Sequence, residues 1–126
     1  MRMDVALVLL GAVLNALAQI ALKASVHGQP PMRSPHELLA AAPRLLTSPM
    51  FLLALALYGI SVLNWLIVLS RVELSVAYPA MSIAYVLTFI AGVVAFGEQA
   101  TPVRIIGACA IVLGAVLISR PATPAA

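Results

Sequence analysis

The chain has 126 residues, of which 63% are hydrophobic and 9% are charged. Soluble domains carry about 25% charged residues, so this composition excludes an ordinary water-soluble globular fold. The formal net charge of +3 comes from basic residues scattered at helix ends, which suit anionic headgroups better than nucleic acid.

Four apolar blocks cover residues 5–22, 50–69, 74–96 and 103–119. A helix of about twenty apolar residues crosses the hydrocarbon core of a bilayer. The expected fold is therefore all-α, with four transmembrane helices over about 4–26, 50–70, 74–97 and 102–119. They form one domain, residues 1–120, and the Ala/Pro/Thr tail at 121–126 is expected to be disordered. The first block is read as a retained helix and not as a signal peptide. Asp4 weakens a basic leader, and Asn15, Gln19 and Lys23 occupy the place of a clean cleavage site.

Helix one carries the clearest polar pattern. Gly11, Asn15, Gln19 and Lys23 are spaced by four, and Asp4 falls on the same face by helical phase. Two readings stand beside each other: amides bonding across to a neighbouring helix, or the lining of a substrate path. Lys23 either snorkels to the headgroups or meets an anionic ligand such as a phosphate.

The connection at 27–49 holds Pro30, Pro31, Pro35, Pro43 and Pro49. Inside it, Ser34-Pro35-His36-Glu37 has the form of a helix start, with Ser34 as cap, Pro35 at the first position and Glu37 as in a capping box. Leu38, Leu39, Ala42, Leu45 and Leu46 then share one side, which suggests a short interfacial helix over about 35–46. Pro43 is expected to kink or end it.

Helix two presents Tyr58, Ser61, Asn64 and Trp65. Asn64 lies deep enough to need a partner, and Trp65 either faces a ligand or packs. Helix three carries Ser75, Tyr78, Ser82, Tyr85 and Phe89 at steps of three and four. That face could line a cavity for an amphiphile, or pack and anchor at the interface. Pro79 frees a carbonyl and is either a hinge or an early-helix Pro. Helix four opens at Thr101-Pro102 and is nearly free of polar groups. Gly107, Ala110 and Gly114 share one of its faces, and small residues let another helix approach closely. Dimerisation or packing within the chain would use this face.

Short links make consecutive helices antiparallel, so four crossings place both termini on one side. Arg2, Arg71 and Arg120 lie on that side and Lys23, Arg33, Arg44 and Arg104 on the other. This is a weak bias for the positive-inside rule, and if it acts the long connection is cytoplasmic.

No enzyme is indicated. His27 and His36 have no second ligand at metal spacing, and the single cysteine, Cys109, sits inside the fourth block and supports no disulfide or metal site. No metal or cofactor is expected. Asp4, Glu37, Glu73 and Glu98 all fall at helix ends or in connections. A proton-coupled pump needs a titratable group that meets substrate and proton in turn, and none occupies the usual central place.

These residues resemble the small multidrug resistance family and its relatives in the drug/metabolite transporter superfamily. The resemblance rests on the helix-one polar face ending in Lys23, on Ala77-Tyr78, on Phe96-Gly97-Glu98-Gln99 and on Gly107 to Gly114. The multidrug exporters carry a glutamate where Asn15 stands, and a glycine pair where Ile83-Ala84-Tyr85 stands. Both departures weigh against proton-driven export of cationic drugs. The chain looks more like the small subunits proposed to flip aminoarabinose-phosphoundecaprenol. Those have a Gln four residues before a Lys, as Gln19 and Lys23; an Ala-Tyr-Pro followed by a Ser, as Ala77-Tyr78-Pro79 and Ser82; and a Glu before a Pro and an Arg, as Glu98, Pro102 and Arg104.

The resemblance implies a multi-pass protein of the bacterial inner membrane. It implies a flippase or flippase subunit for a lipid-linked sugar phosphate, acting as a homodimer or as a heterodimer with a related small subunit. Asn15, Gln19, Lys23, Tyr58, Asn64, Trp65, Tyr78, Ser82, Tyr85, Glu98 and Arg104 are the candidate substrate contacts. Gly107, Ala110 and Gly114 are the candidate dimer interface. Three alternatives stay open: an exporter of cationic compounds, a transporter of another small metabolite, and a non-transporting accessory subunit of a glycolipid-modifying complex.

Overall fold

The computed structural model describes residues 2–120, and the expected tail disorder at 121–126 lies outside them. The chain forms α1 (Arg2–Val26), α2 (Pro35–Thr47), α3 (Pro49–Leu69), α4 (Leu74–Ala80), α5 (Ile83–Phe96) and α6 (Pro102–Ile118). Three stretches are long and apolar enough to cross a bilayer: Asp4–Val26, Pro49–Leu69 and Leu74–Phe96, the last made of α4 and α5 together. Helix α6 is apolar over 17 residues, at the short end of the spanning range.

The interior is built from small residues. Helix α1 packs against α3 and α5 through Gly11, Ala12, Ala16, Ala18 and Ala21. The buried stripe of α3 is Ala54, Ser61, Asn64 and Val68, and Val68 is the largest fully buried side chain. The large aliphatics point the other way: Leu52, Leu55, Ile60, Leu63 and Leu66 of α3 are all exposed. In water this arrangement would be inside out. In lipid, tails are as apolar as Leu, so burying Leu gains little, and close backbone approach through Gly, Ala and Ser supplies the packing instead.

Asn64 ties this seam. Its Nδ2 donates to the Leu7 carbonyl at 3.0 Å, across from α3 to α1. A Cβ added at Gly11 would lie 2.8 Å from that nitrogen, so the glycine makes room for the amide.

Pro43 acts differently from expectation, and the helix expected around Pro79 is not continuous. Helix α2 is capped by Ser34, whose Oγ accepts from Glu37 N at 3.3 Å, while a Glu37 carboxylate oxygen accepts from Arg33 N at 2.6 Å. It then runs through Pro43 to Thr47. Pro43 and Leu39, whose carbonyl loses its helical partner, are both exposed, which leaves the surroundings to satisfy that group. Pro79 has the larger effect. The expected continuous helix at 74–97 is interrupted at Met81 and Ser82. Pro79 cannot donate to the Ser75 carbonyl, and the chain tightens into three-residue bonds: Ser82 N to Pro79 O, Ala84 N to Met81 O and Tyr85 N to Ser82 O, at 2.9–3.0 Å. Tight turns of this kind mark functional hinges or sequences under strain.

Candidate functional site

The polar face of α1 meets α3, α4 and α5 at a lateral groove of about 540 Å³. Asn15 and Gln19 enter from α1, Tyr58, Ser61 and Trp65 from α3, and Tyr78, Tyr85 and Thr88 from either side of the break. Helical spacing explains the convergence. Asn15 and Gln19 are one turn apart on one face, as are Tyr58, Ser61 and Trp65. Tyr78 and Tyr85 are two turns apart and line the same wall from either side of the break. Trp65 and Tyr78 meet edge to face, with ring centroids 5.7 Å apart and an interplanar angle of 79°, a favoured aromatic geometry. The groove thus combines amides and hydroxyls, which donate and accept hydrogen bonds, with flat apolar rings. Among the described residues, no carboxylate lines it.

A second cavity of about 280 Å³ shares Gln19 and Thr88 with the groove and runs on to Lys23, Phe96 and Glu98. Here Lys23 Nζ lies 3.3 Å from a Glu98 carboxylate oxygen, with both side chains about half exposed. The backbone aims Glu98. Gly97 has a φ of 67°, in the left-handed region that glycine enters without steric cost. Gly97 N and Glu98 N both donate to the Gly92 carbonyl. The chain folds back, and the Glu98 carboxylate rests on Gly92, where an added Cβ would sit 2.8 Å from Oε2. His27 and Phe96, with centroids 5.2 Å apart, close the same end of the molecule.

A third cavity of about 360 Å³ shares Tyr85 with the groove and Glu98 with the second cavity, and adds Arg104 and Gly107 of α6. Arg104 Nη1 donates to the Gln99 carbonyl at 3.1 Å. Lys23 and Glu98 thus line the second cavity, and Glu98 and Arg104 the third.

Of the candidate contacts, Asn15, Gln19, Tyr58, Trp65, Tyr78 and Tyr85 line the groove, and Lys23, Glu98 and Arg104 line its extensions. Asn64 faces the α1–α3 seam and is spent on Leu7. Ser82 sits in the break, its Oγ buried with no hydrogen-bond partner among the described residues, and it lines none of the three cavities. Gly107 borders the third cavity, whereas Ala110 does not, and Cβ positions at Gly107 and Gly114 meet nothing within 4 Å. Ser61, Thr88 and Gly92 are additions to the candidate set. Thr88 follows Tyr85 by three and extends the helix-three stripe. Gly92, one turn further, carries no chemistry of its own and gives no signal in the sequence.

The chain aligns with curated proteins along most of its length. It is 35% identical over 123 residues to a probable 4-amino-4-deoxy-L-arabinose-phosphoundecaprenol flippase subunit, ArnE, of Pseudomonas aeruginosa (strain UCBPP-PA14), covering 95% of this chain and the whole of that protein. It is 33% identical over 117 residues to the ArnE of Pseudomonas savastanoi pv. phaseolicola, covering 92% and 97%. The chain belongs to this family of small flippase subunits. The ArnF subunit of Aeromonas salmonicida is also 33% identical, over 89% of this chain and 76% of its own length. No family model and no solved structure matches the chain. Flippase subunits of this family are transporters and not enzymes: moving a lipid between leaflets makes and breaks no covalent bond.

Proposed function

We propose that the chain is one subunit of a flippase that carries an undecaprenyl-phosphate-linked amino sugar between the leaflets of the bacterial inner membrane. The observation that carries this reading is the lateral groove, lined by amides, hydroxyls and aromatic rings, beside a cavity that shares Gln19 and Thr88 with it and holds Lys23. The barrier to flipping is the headgroup, because polar and charged groups are costly in hydrocarbon. Asn15 and Gln19 replace water around the sugar. Tyr58, Trp65, Tyr78 and Tyr85 offer faces to its ring. Lys23, with Arg104 beyond it, attracts the phosphodiester, while the polyprenyl tail stays in lipid.

In this reading α6 is the fourth crossing and both termini share one side. The face of Gly107, Ala110 and Gly114 receives a second small subunit, identical or related, that covers the open side of the groove. Helix α2 lies in the interface, with Leu38, Leu39 and Leu46 exposed toward the acyl chains. Consumption of the lipid on the far side drives transport without ion coupling.

The test is reconstitution in vesicles with a fluorescent or radiolabelled amino-sugar lipid, following its appearance in the opposite leaflet. Lys23→Ala is expected to slow flipping about tenfold, a loss of about 1.4 kcal/mol, with protein recovery unchanged. Equal loss of flipping and of protein would make Lys23 structural and remove the phosphate role.

A further inference from the structure

We propose that Glu98 recognises the ammonium group of the substrate, and that the Lys23–Glu98 pair is a preformed zwitterion that a zwitterionic lipid headgroup replaces. This rests on the flippase reading above and adds the feature that would select an amino sugar over a neutral one.

The pair is open to a ligand: both side chains are about half exposed. Yet the fold invests in placing this carboxylate. Gly97 turns the chain in the left-handed region, two backbone N–H groups converge on the Gly92 carbonyl, and Gly92 leaves the space the carboxylate fills. Among the described residues, Glu98 is the one carboxylate that lines any of these three cavities.

The two partners are held unequally. The Glu98 carboxylate rests against Gly92, whereas Lys23 carries its charge on a flexible four-carbon stem. A ligand can therefore draw the ammonium of Lys23 away while the carboxylate stays. An anion without an amine would take Lys23 and leave Glu98 uncompensated beside a second negative charge. A headgroup bearing a phosphodiester and a primary ammonium takes both: phosphate to Lys23, ammonium to Glu98. One ion pair becomes two and no charge is left alone. Hydrogen bonds between ionised partners are the strong ones, so the exchange favours a zwitterion over its neutralised analogue.

Binding of 4-amino-4-deoxy-L-arabinose-phosphoundecaprenol and of its N-acetyl derivative to the purified full-length chain in nanodiscs tests this. The wild type is expected to bind the amine lipid about tenfold more tightly. Glu98→Gln should abolish the preference by weakening the amine lipid, leaving the acetylated lipid unchanged or tighter because Lys23 is released. Gly92→Ala, which keeps the charge but fills the cradle, should shift the preference in the same direction by less. A third measurement needs no variant. A carbodiimide, which takes up water as its urea, should join the lipid amine to the Glu98 carboxylate as an amide, located by peptide mass spectrometry. Equal affinity of the wild type for both lipids, equal weakening of both in Glu98→Gln, or a crosslink at Glu73 in place of Glu98 would overturn the assignment and leave the flippase reading standing. Failure of the wild type to bind either lipid would overturn both.

Discussion

The seam between α1 and α3 and the surface of α6 use the same residue types to opposite ends. In the seam, the space left by Gly11 is occupied, with Asn64 Nδ2 2.8 Å from an added Cβ. On α6, Gly107 and Gly114 leave space that nothing fills, and none of that helix's residues is buried. Small residues on a membrane helix mean that something can come close. Whether it has already come is decided by the neighbouring element. Where a neighbour lies within the chain, the glycine is a packing residue. Where none does, the surface stands open to lipid or to another protein.

Substitutions at the two places should separate these roles. The largest effect is expected from Gly11→Leu. The added side chain collides with Asn64 and pushes α1 off α3. Overpacking of this kind costs about 1–3 kcal/mol, read as a lower Tm in detergent. An unchanged Tm would show that α1 and α3 are not packed as described. Asn64→Leu should follow at about 1 kcal/mol, the scale of hydrogen bonds between membrane helices, with no selective effect on lipid binding. A specific loss of binding would return Asn64 to the groove. The smallest effect on stability is expected from Gly107→Leu combined with Gly114→Leu: within about 0.5 kcal/mol for the single protomer, while the dimer captured by chemical crosslinking falls. Strong destabilisation of the protomer would mean that the Gly107–Gly114 face packs inside its own chain, as the α6 side toward α4 and α5 does, and an unchanged dimer would move the interface elsewhere.

The candidate site was legible where residues repeat at helical spacing. Asn15 and Gln19, Tyr58 and Trp65, and Tyr78 and Tyr85 carry their chemistry on the surface of their own helices, so the 3.6-residue period is enough to group them. Asn64 could not be sorted the same way. One step along α3 from Trp65 is a turn of about 100°, enough to swing it out of the groove and against Leu7. Glu98 sits outside any regular helix, and its reach depends on the φ of Gly97 and the missing side chain of Gly92. Pro79 announced a disturbance in the turn before it, where its missing donor frees the Ser75 carbonyl, but the break falls beyond it, at Met81 and Ser82.

Composition and periodicity by themselves determined the membrane class, the apolar blocks, the polar face of α1 and the caps at Ser34 and Thr101, because each depends on residues near one another in the chain. Tertiary structure decided which small residues are filled, which amide joins two helices, and that Lys23 meets Glu98, 75 positions further along the chain. Those outcomes turn on how closely two helices approach, and that distance is set by both partners together, so neither segment encodes it.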